Sequence, residues 1–294
     1  MNDSFANQGF SRKAFVIFNI SFMLFVAAVT LYPFIYVIAV SFSAEMPVAQ
    51  NRVWLYPIGF NFNAYRSVFS HPDLWRSYYN TIFYTIIGTG INMVLTIMGA
   101  YPLSRMRFRG RGIFSFIIVF TMLFSGGMIP TFLVVRDLGM LDSRWAILLP
   151  SAVHTFLLIM MRSFFQQIPK ELEEAAQIDG CNELRMLVQI FLPLSTASLA
   201  TIALMYAVAH WNNFFSALIY LPRARALWPI QILLREIVIQ NQMGDMAGVG
   251  QDVQGFTDNV RYATIMVAAL PILMVYPFIQ KYFVKGVMIG AIKG

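Results

Sequence analysis

The sequence is poor in the residues that soluble enzymes and disulfide-rich proteins rely on. Charged side chains make up only 12% of its 294 residues, and Cys181 is the single cysteine. One cysteine excludes a disulfide within the chain. With 58% apolar side chains, the composition is too hydrophobic for a soluble domain. These features favour a membrane protein.

Motifs for nucleotide binding, metal binding and nucleophilic catalysis are also missing. No G-x-x-x-x-G-K-[ST] segment occurs, so the chain lacks a P-loop for the phosphates of ATP. His71, His154 and His210 are far apart and accompanied by no H-E-x-x-H motif, so we predict no metal site. There is no G-x-S-x-G, and we interpret the Ser125–Gly127 segment as a helix break. The chain is therefore predicted not to be an enzyme.

Long uncharged stretches predict six membrane spans. A spanning helix needs about 20 predominantly apolar residues. The first stretch is far longer than the apolar core of a signal peptide, so we interpret it as an uncleaved span. Residues 223–261 contain four glycines among polar residues and are predicted to form a flexible outer loop. The predicted spans are residues 14–42, 78–104, 112–135, 145–161, 194–222 and 262–280.

The predicted fold is an all-α, polytopic membrane protein, with residues 1–13 as a cytoplasmic N-terminus and 14–294 as a single transmembrane domain. With the N-terminus inside, twelve basic residues face the cytoplasm and nine face outward. The short arginine-rich segment 105–111 decides this orientation, because short loops follow the positive-inside rule most strictly. Both termini and the loop 162–193 are then cytoplasmic. Because the basic residues lie between apolar runs, the net charge of +7 fits membrane topology rather than nucleic-acid binding.

The loop 162–193 is polar and amphipathic, unlike the segments on either side of it. Pro169 suits the first turn of a helix, and the acidic residues that follow favour the positive end of that helix. Gly180 supplies a left-handed stop, and Asn182 can cap a second helix. We therefore predict a helix–turn–helix that lies outside the membrane.

This loop contains a spaced motif. Glu174-Ala175-Ala176 is followed after three residues by Gly180 and, after nine more, by I-x-L-P at 190–193. The motif resembles the signature of permease subunits of binding-protein-dependent ABC importers, of type I, although a plain amphipathic connector remains an alternative. The resemblance implies that the first helix of this coupling loop docks into a cleft on a separate ATPase subunit. The coupling residues that it implies are Glu174, Ala175, Ala176, Asp179 and Gly180.

Two further runs are similar to the second permease subunit of carbohydrate importers, the branch that includes the maltose-type permease. They are W-N-N-F-F-S-A-L from Trp211 and the tail from Tyr276. The resemblance implies a sugar or oligosaccharide substrate, a homologous permease, two ATPase subunits and an extracytoplasmic binding protein in the bacterial inner membrane. ATP and Mg would be bound by the ATPase, and no cofactor by this chain. An acidic oligosaccharide such as alginate is compatible with the nine outer basic residues, although eight acidic residues accompany them.

Neutral polar and aromatic side chains recur along the fifth predicted span. Several of them repeat near helical spacing and so share one face. Amides and hydroxyls pair with sugar hydroxyls, while aromatic rings stack on sugar C–H faces. The same side chains would equally well join helices through hydrogen bonds or form an outer aromatic belt. The candidate substrate-path residues are Tyr206, His210, Trp211, Asn212, Asn213, Tyr220 and, in the second span, Asn80.

Two other function classes fit the sequence less well. An ion-coupled secondary transporter generally needs ionisable groups inside its spans or inverted repeats, and neither is evident here. A membrane-embedded hydrolase needs a nucleophile–base pair, and the mid-span histidines have no obvious partner. The sequence therefore predicts the permease subunit of an ATP-driven importer, with a secondary transporter as the alternative.

Overall fold

The computed structural model describes residues 10–247 and 258–291, and within these ranges all regular secondary structure is helical. The all-α prediction is confirmed for this part of the chain. A π-helical turn covers Leu187–Phe191 and a 3-10 turn covers Arg225–Leu227. The α-helices are α1 (Phe10–Ser41), α2 (Glu45–Ala49), α3 (Asn63–Phe69), α4 (Leu74–Ser104), α5 (Arg111–Leu123), α6 (Met128–Asp137), α7 (Trp145–Leu148), α8 (Thr155–Gln166), α9 (Lys170–Ile178), α10 (Glu183–Met186), α11 (Leu192–Leu194), α12 (Thr196–Trp211), α13 (Phe215–Tyr220), α14 (Ile230–Ala247) and α15 (Asp258–Ala291).

Fewer helices than predicted are long and apolar enough to cross a membrane alone. Among the described residues three segments qualify: Arg12–Ser41, Leu74–Ser104 and Asp258–Val275. The count rises to five if two sharply bent helix pairs each form one span. The structure thus shows a polytopic helical protein with three to five candidate spans, against six uncharged stretches in the sequence.

The predicted third span, residues 112–135, is interrupted. It forms α5 and α6, which are bent by 111° relative to each other. Gly127, between them, has φ +83° and ψ −179°, a conformation that is essentially restricted to glycine. The helix break interpreted from Ser125–Gly127, inside the predicted span 112–135, is therefore confirmed.

The fourth and fifth predicted spans are also broken. Within 145–161, α7 ends just before Pro150, because proline lacks an N–H and disfavours helix in the residue before it. The next helix, α8, has only 12 residues. Within 194–222, α12 ends at Trp211 and α13 starts at Phe215.

The predicted outer loop 223–261 is largely helical where it is described. Residues 230–247 form α14, which includes Gly244. A flexible loop over these residues is therefore wrong. The other three glycines of the prediction lie in 248–257, outside the described residues, as do residues 1–9 of the predicted N-terminal segment and 292–294 of the tail.

The chain divides into two compact units, of which the first contains residues 1–71 and 236–269. Its core contains Ala39, Val40, Val48 and Val53, with Tyr36 and Tyr262 packed edge to face 5.7 Å apart. Most of α1 before this core is exposed and apolar. An apolar helix surface of this kind is stable against lipid or another membrane helix.

The second unit contains residues 72–235 and 270–294, and α4 is its central helix. With 31 residues, α4 is about 46 Å long. It packs along α12 and α8. One core cluster near its C-terminal end includes Leu103, Met161, Phe165, Met186, Phe191 and Ile202. A second cluster near its N-terminal half includes Tyr84, Ile147, Leu148, Leu221 and Ile232.

Candidate functional site

Residues 169–193 form the predicted helix–turn–helix, here called the elbow. Its first arm, α9, begins after Pro169 and has Glu171 and Glu173 in the first turn, where a helix dipole favours negative charge. Its second arm begins after Asn182, whose Oδ1 accepts the N–H of Arg185 at 2.8 Å. The second arm continues through the π-helical turn and meets α12 at a bend of 85°.

The turn between the arms has a regular hydrogen-bond pattern. Gly180 has φ +73°. Its N–H donates to the carbonyl of Gln177 at 3.0 Å, and the N–H of Cys181 donates to the carbonyl of Ala176 at 2.9 Å. These two bonds define a Schellman motif, which requires a left-handed residue at the position of Gly180. The predicted glycine stop is confirmed.

The first arm is attached to α4 by Arg105, the residue that follows this helix. Its guanidinium forms an ion pair with Glu173 and donates to Sδ of Met186 at 3.2 Å. Its guanidinium carbon also lies 4.6 Å from the ring centroid of Phe191 and 5.3 Å from that of Tyr101. Arg105 is only 9% exposed. A buried charge with these partners is held in one geometry.

The second arm has its own link to α4. The hydroxyl of Tyr101 donates to Oε2 of Glu183 at 2.7 Å. A third link is exposed: Nη1 of Arg107 donates to Oε1 of Gln177 at 2.5 Å.

The contacts of Arg105 and Tyr101 with the elbow were not predicted from the sequence. The available signal was an arginine directly after an uncharged span, beside a loop rich in glutamate.

The predicted coupling residues do not all face the same way. Glu174, Ala175, Asp179 and Gly180 are exposed, whereas Ala176 is 7% exposed and packs into the core cluster near the C-terminal end of α4. Ala176 is therefore a packing residue in this arrangement and not part of the exposed surface. Its small side chain lets α9 lie close to that core.

Large apolar side chains share the exposed surface of the elbow. Ile178 is 87% exposed and Leu184 is 71% exposed. Large, exposed apolar side chains on an otherwise polar segment favour an interaction surface. We call the four exposed apolar residues of the elbow the elbow face: Leu172, Ile178, Leu184 and Val188.

The candidate substrate-path residues on α12 are buried against other helices. The hydroxyl of Tyr206 lies 2.7 Å from Oγ1 of Thr96 and accepts the backbone N–H of His154 at 3.1 Å. Nε2 of His210 lies 3.3 Å from Oδ1 of Asn92. These geometries correspond to the alternative in which polar side chains join helices. A substrate role for them stays a prediction.

Asn80 is likewise bonded within the chain. Its amide nitrogen donates to the carbonyls of Ala226 at 2.8 Å and Trp228 at 3.2 Å, and its oxygen accepts from Arg144 at 3.3 Å. Its side chain thus joins residues 225–228 to α4 through hydrogen bonds.

The remaining candidates do not extend the face of Tyr206 and His210. Trp211 is buried at the end of α12, and Asn212 is exposed. Oδ1 of Asn213 accepts the N–H of Ser216, and the ring of Tyr220 stacks on Phe132 at 6.4 Å. One continuous helical face through Tyr220 is wrong, because the helix stops at Trp211. No group of three potential metal ligands comes together in the described part of the chain.

Comparison with protein families identifies the chain. Residues 92–289 match the model of the binding-protein-dependent transport system inner membrane component. This chain belongs to that family. It is a multi-pass permease subunit of the inner membrane and a transport component rather than an enzyme.

The permease has curated relatives along nearly its full length, two of them from Bacillus subtilis (strain 168). It is 48% identical over 275 residues to the polygalacturonan/rhamnogalacturonan transport system permease protein YtcP, covering 93% of this chain and 96% of that protein. It is 45% identical over 283 residues to protein LplC, covering 96% of each.

Solved structures show the same architecture. A crystal structure of a bacterial ABC transporter involved in import of the acidic polysaccharide alginate contains a chain 39% identical to the permease, with a TM-score of 0.85, covering 94% of this chain and 99% of that one. A bacterial alginate ABC transporter in complex with an alginate pentasaccharide-bound periplasmic protein gives 16% identity and a TM-score of 0.56, covering 92% and 96%. The second likeness concerns the fold alone.

Proposed function

We propose that this permease is one half of the pore of an ATP-driven importer for acidic oligosaccharides. A homologous permease forms the other half, two ATPase subunits bind ATP and Mg on the cytoplasmic side, and an extracytoplasmic protein delivers the sugar. Six spans place both termini and the elbow in the cytoplasm. This count takes α5 with α6, α7 with α8, and α12 with α13 as single interrupted spans.

The observation that supports ATPase coupling is the exposed elbow face. Fully burying an isoleucine side chain is worth about 1.5–3 kcal/mol, and Ile178 is 87% exposed in the isolated chain. The carboxylates of Glu174, one helical turn before it, and Asp179, directly after it, are also exposed. Protein–protein interfaces usually combine apolar and polar groups in this way. The elbow therefore has the surface chemistry that docking into an ATPase cleft requires.

The acidic substrate is supported by the named relatives and by a recurring pair of side chains. YtcP is named for polygalacturonan transport, and the structural neighbour imports alginate. In this chain four arginines of segments predicted to face outward lie over aromatic rings. The distances from the guanidinium carbon to the ring centroid are 4.3 Å for Arg144 and Phe83, 5.1 Å for Arg225 and Trp228, 5.2 Å for Arg235 and Phe214, and 5.6 Å for Arg261 and Tyr262. Guanidinium groups bind carboxylates, and rings stack on sugar C–H faces.

The ATPase assignment is tested by replacing Ile178 with aspartate. The permease is co-expressed with its partner permease and candidate ATPase, purified through the permease and assayed for bound ATPase. Ile178→Asp is expected to abolish co-purification, because a charge at this apolar position cannot be desolvated. Leu138→Asp is the matched control, since Leu138 is 67% exposed in the connection after α6. Retention of the ATPase by Ile178→Asp would contradict the proposed docking surface.

The substrate is tested in proteoliposomes that contain the assembled importer and its binding protein. Uptake of labelled oligogalacturonate is expected to require internal ATP and the binding protein, and to be unaffected by collapse of ion gradients. Excess neutral oligosaccharide of equal length should compete poorly. Uptake driven by an ion gradient without ATP would instead identify a secondary transporter.

A further inference from the structure

We propose that Arg105 is the positioning residue that transmits movement of the elbow into α4, with Tyr101 as a second link. This inference rests on the proposed function, because it presupposes an ATPase that moves the elbow. It concerns a step that ATPase docking does not explain: how displacement of a short helix outside the membrane reaches the membrane-spanning helices.

The two arms of the elbow are joined to the same helix on either side of Gly180. The first arm is held through the ion pair of Glu173 with Arg105, and the second through the hydrogen bond of Glu183 with Tyr101. The Schellman turn fixes the arms relative to each other. A displacement of the elbow face therefore acts on the C-terminal end of α4 at two points.

Arg105 is suited to transmit force because it is buried and held by several groups at once. Its guanidinium contacts Glu173, Met186 and the rings of Phe191 and Tyr101. A planar guanidinium has fixed donor directions, and a buried ion pair cannot open without leaving a charge unpaired. The bond between Arg107 and Gln177 is solvent-exposed, so water can replace it at little cost.

Helix α4 carries side-chain bonds along its length to the rest of the second unit. Thr96 and Asn92 contact Tyr206 and His210 of α12. Further along, Asn80 binds the carbonyls of the turn that contains Arg225. Tyr101 and Asn80 are separated by 21 residues, about 32 Å of helix. Because packed helices move as discrete bodies, a shift at the elbow end would displace that turn as well.

The test compares coupling with docking in the assembled importer. Arg105→Met keeps the apolar stem, and Glu173→Gln removes the opposite charge. Arg109→Met is the control, because Arg109 lies in the same connection after α4 but is exposed. Binding-protein-stimulated ATP hydrolysis and sugar uptake are measured, together with the ATPase retained on purification. We expect either single variant to retain the ATPase but to lose stimulation at least about fivefold, the lower end of couplings between linked sites.

The double variant Arg105→Met/Glu173→Gln sharpens the test. Residues that act as one link give non-additive effects, so the double variant should be no worse than either single variant. Arg105→Lys, which keeps the charge, should recover part of the stimulation. Additive losses, or full stimulation in Arg105→Met, would overturn the proposal.

A substitution of Tyr101 addresses misfolding. If Arg105→Met does not assemble, Tyr101→Phe removes only the hydroxyl that binds Glu183 and keeps the ring. It should lower stimulation while retaining the ATPase; unchanged stimulation would contradict the second link. Loss of the ATPase from assembled Arg105→Met would mean that Arg105 only shapes the docking surface, which also overturns the proposal. If the unsubstituted permease itself binds no ATPase, the proposed function fails instead.

Discussion

Substitutions at Gly180 separate backbone geometry from steric fit at the elbow. Gly180 has φ +73°, and a Cβ built on it would meet no atom of the chain within 4 Å. Any intrinsic cost of a side chain therefore comes from the left-handed backbone. For ordinary L-residues this costs about 1–2 kcal/mol, whereas asparagine visits the conformation readily.

This cost predicts an order of activity that does not follow side-chain size. A penalty of about 1–2 kcal/mol corresponds to a factor of about 5–30 in the population of the native turn. Binding-protein-stimulated ATP hydrolysis should fall by up to that factor in Gly180→Ala and further in Gly180→Val, whose β-branched side chain is least suited to positive φ. Gly180→Asn should be less impaired than Gly180→Ala, because asparagine also ends helices at this position.

The assay is ATP hydrolysis by the reconstituted importer with and without loaded binding protein. All three variants should still assemble, since the turn is exposed and lies outside the core. If Gly180→Asn is more defective than Gly180→Ala, contact with the partner decides the effect rather than the backbone. Normal stimulation in Gly180→Val would refute the role of the turn in coupling.

Two further predictions concern the helix contacts of α4 and α12. Gly88→Ala should lower the melting temperature of the permease in detergent, because the added Cβ would lie 2.5 Å from the ring of His210. Overpacking of this kind typically costs about 1–3 kcal/mol. Gly90→Ala is the control, since no atom lies within 4 Å of its added Cβ. Tyr206→Phe should also lower the melting temperature, because Thr96 and the N–H of His154 lose a buried partner, at a cost of about 1–3 kcal/mol in the free energy of unfolding. The KM for uptake should not change. A raised KM at unchanged stability would favour a substrate contact of Tyr206.

The elbow could be predicted from sequence because its signals are local. Pro169 and the glutamates after it mark the start of α9, Gly180 marks the turn, and Asn182 caps α10. Each of these residues satisfies or interrupts backbone hydrogen bonds within a few positions of itself. Such effects do not depend on the rest of the fold.

The direction of each elbow side chain could not be predicted in the same way. Ala175 and Ala176 are equivalent by sequence, yet only Ala175 is exposed. Which alanine faces the core depends on where α4 and Phe191 lie, and those contacts are long-range. The ion pair between Arg105 and Glu173 could not be predicted from the sequence for the same reason.

Hydropathy alone did not show where helices inside the predicted spans are interrupted. Residues 112–135 and 145–161 are uncharged, but Gly127 and Pro150 interrupt their helices. The substrate-path residues illustrate a related limit. The side chains that suit a sugar are also those that join helices, and only the partners of Tyr206 and His210 reveal which contacts they make in the folded chain.

The central claim is that the elbow lies in the cytoplasm, within reach of an ATPase. Cys181, the only cysteine, lies at its turn and is partly exposed, so no engineered label is needed. Membrane-impermeant maleimide is applied to right-side-out and inside-out vesicles freed of ATPase, with detergent-solubilised protein as the control for thiol reactivity. Cys181 is expected to be labelled in inside-out vesicles only and to be protected when the ATPase is added back. Labelling in intact right-side-out vesicles would place the elbow outside the cell, where no ATPase could bind it.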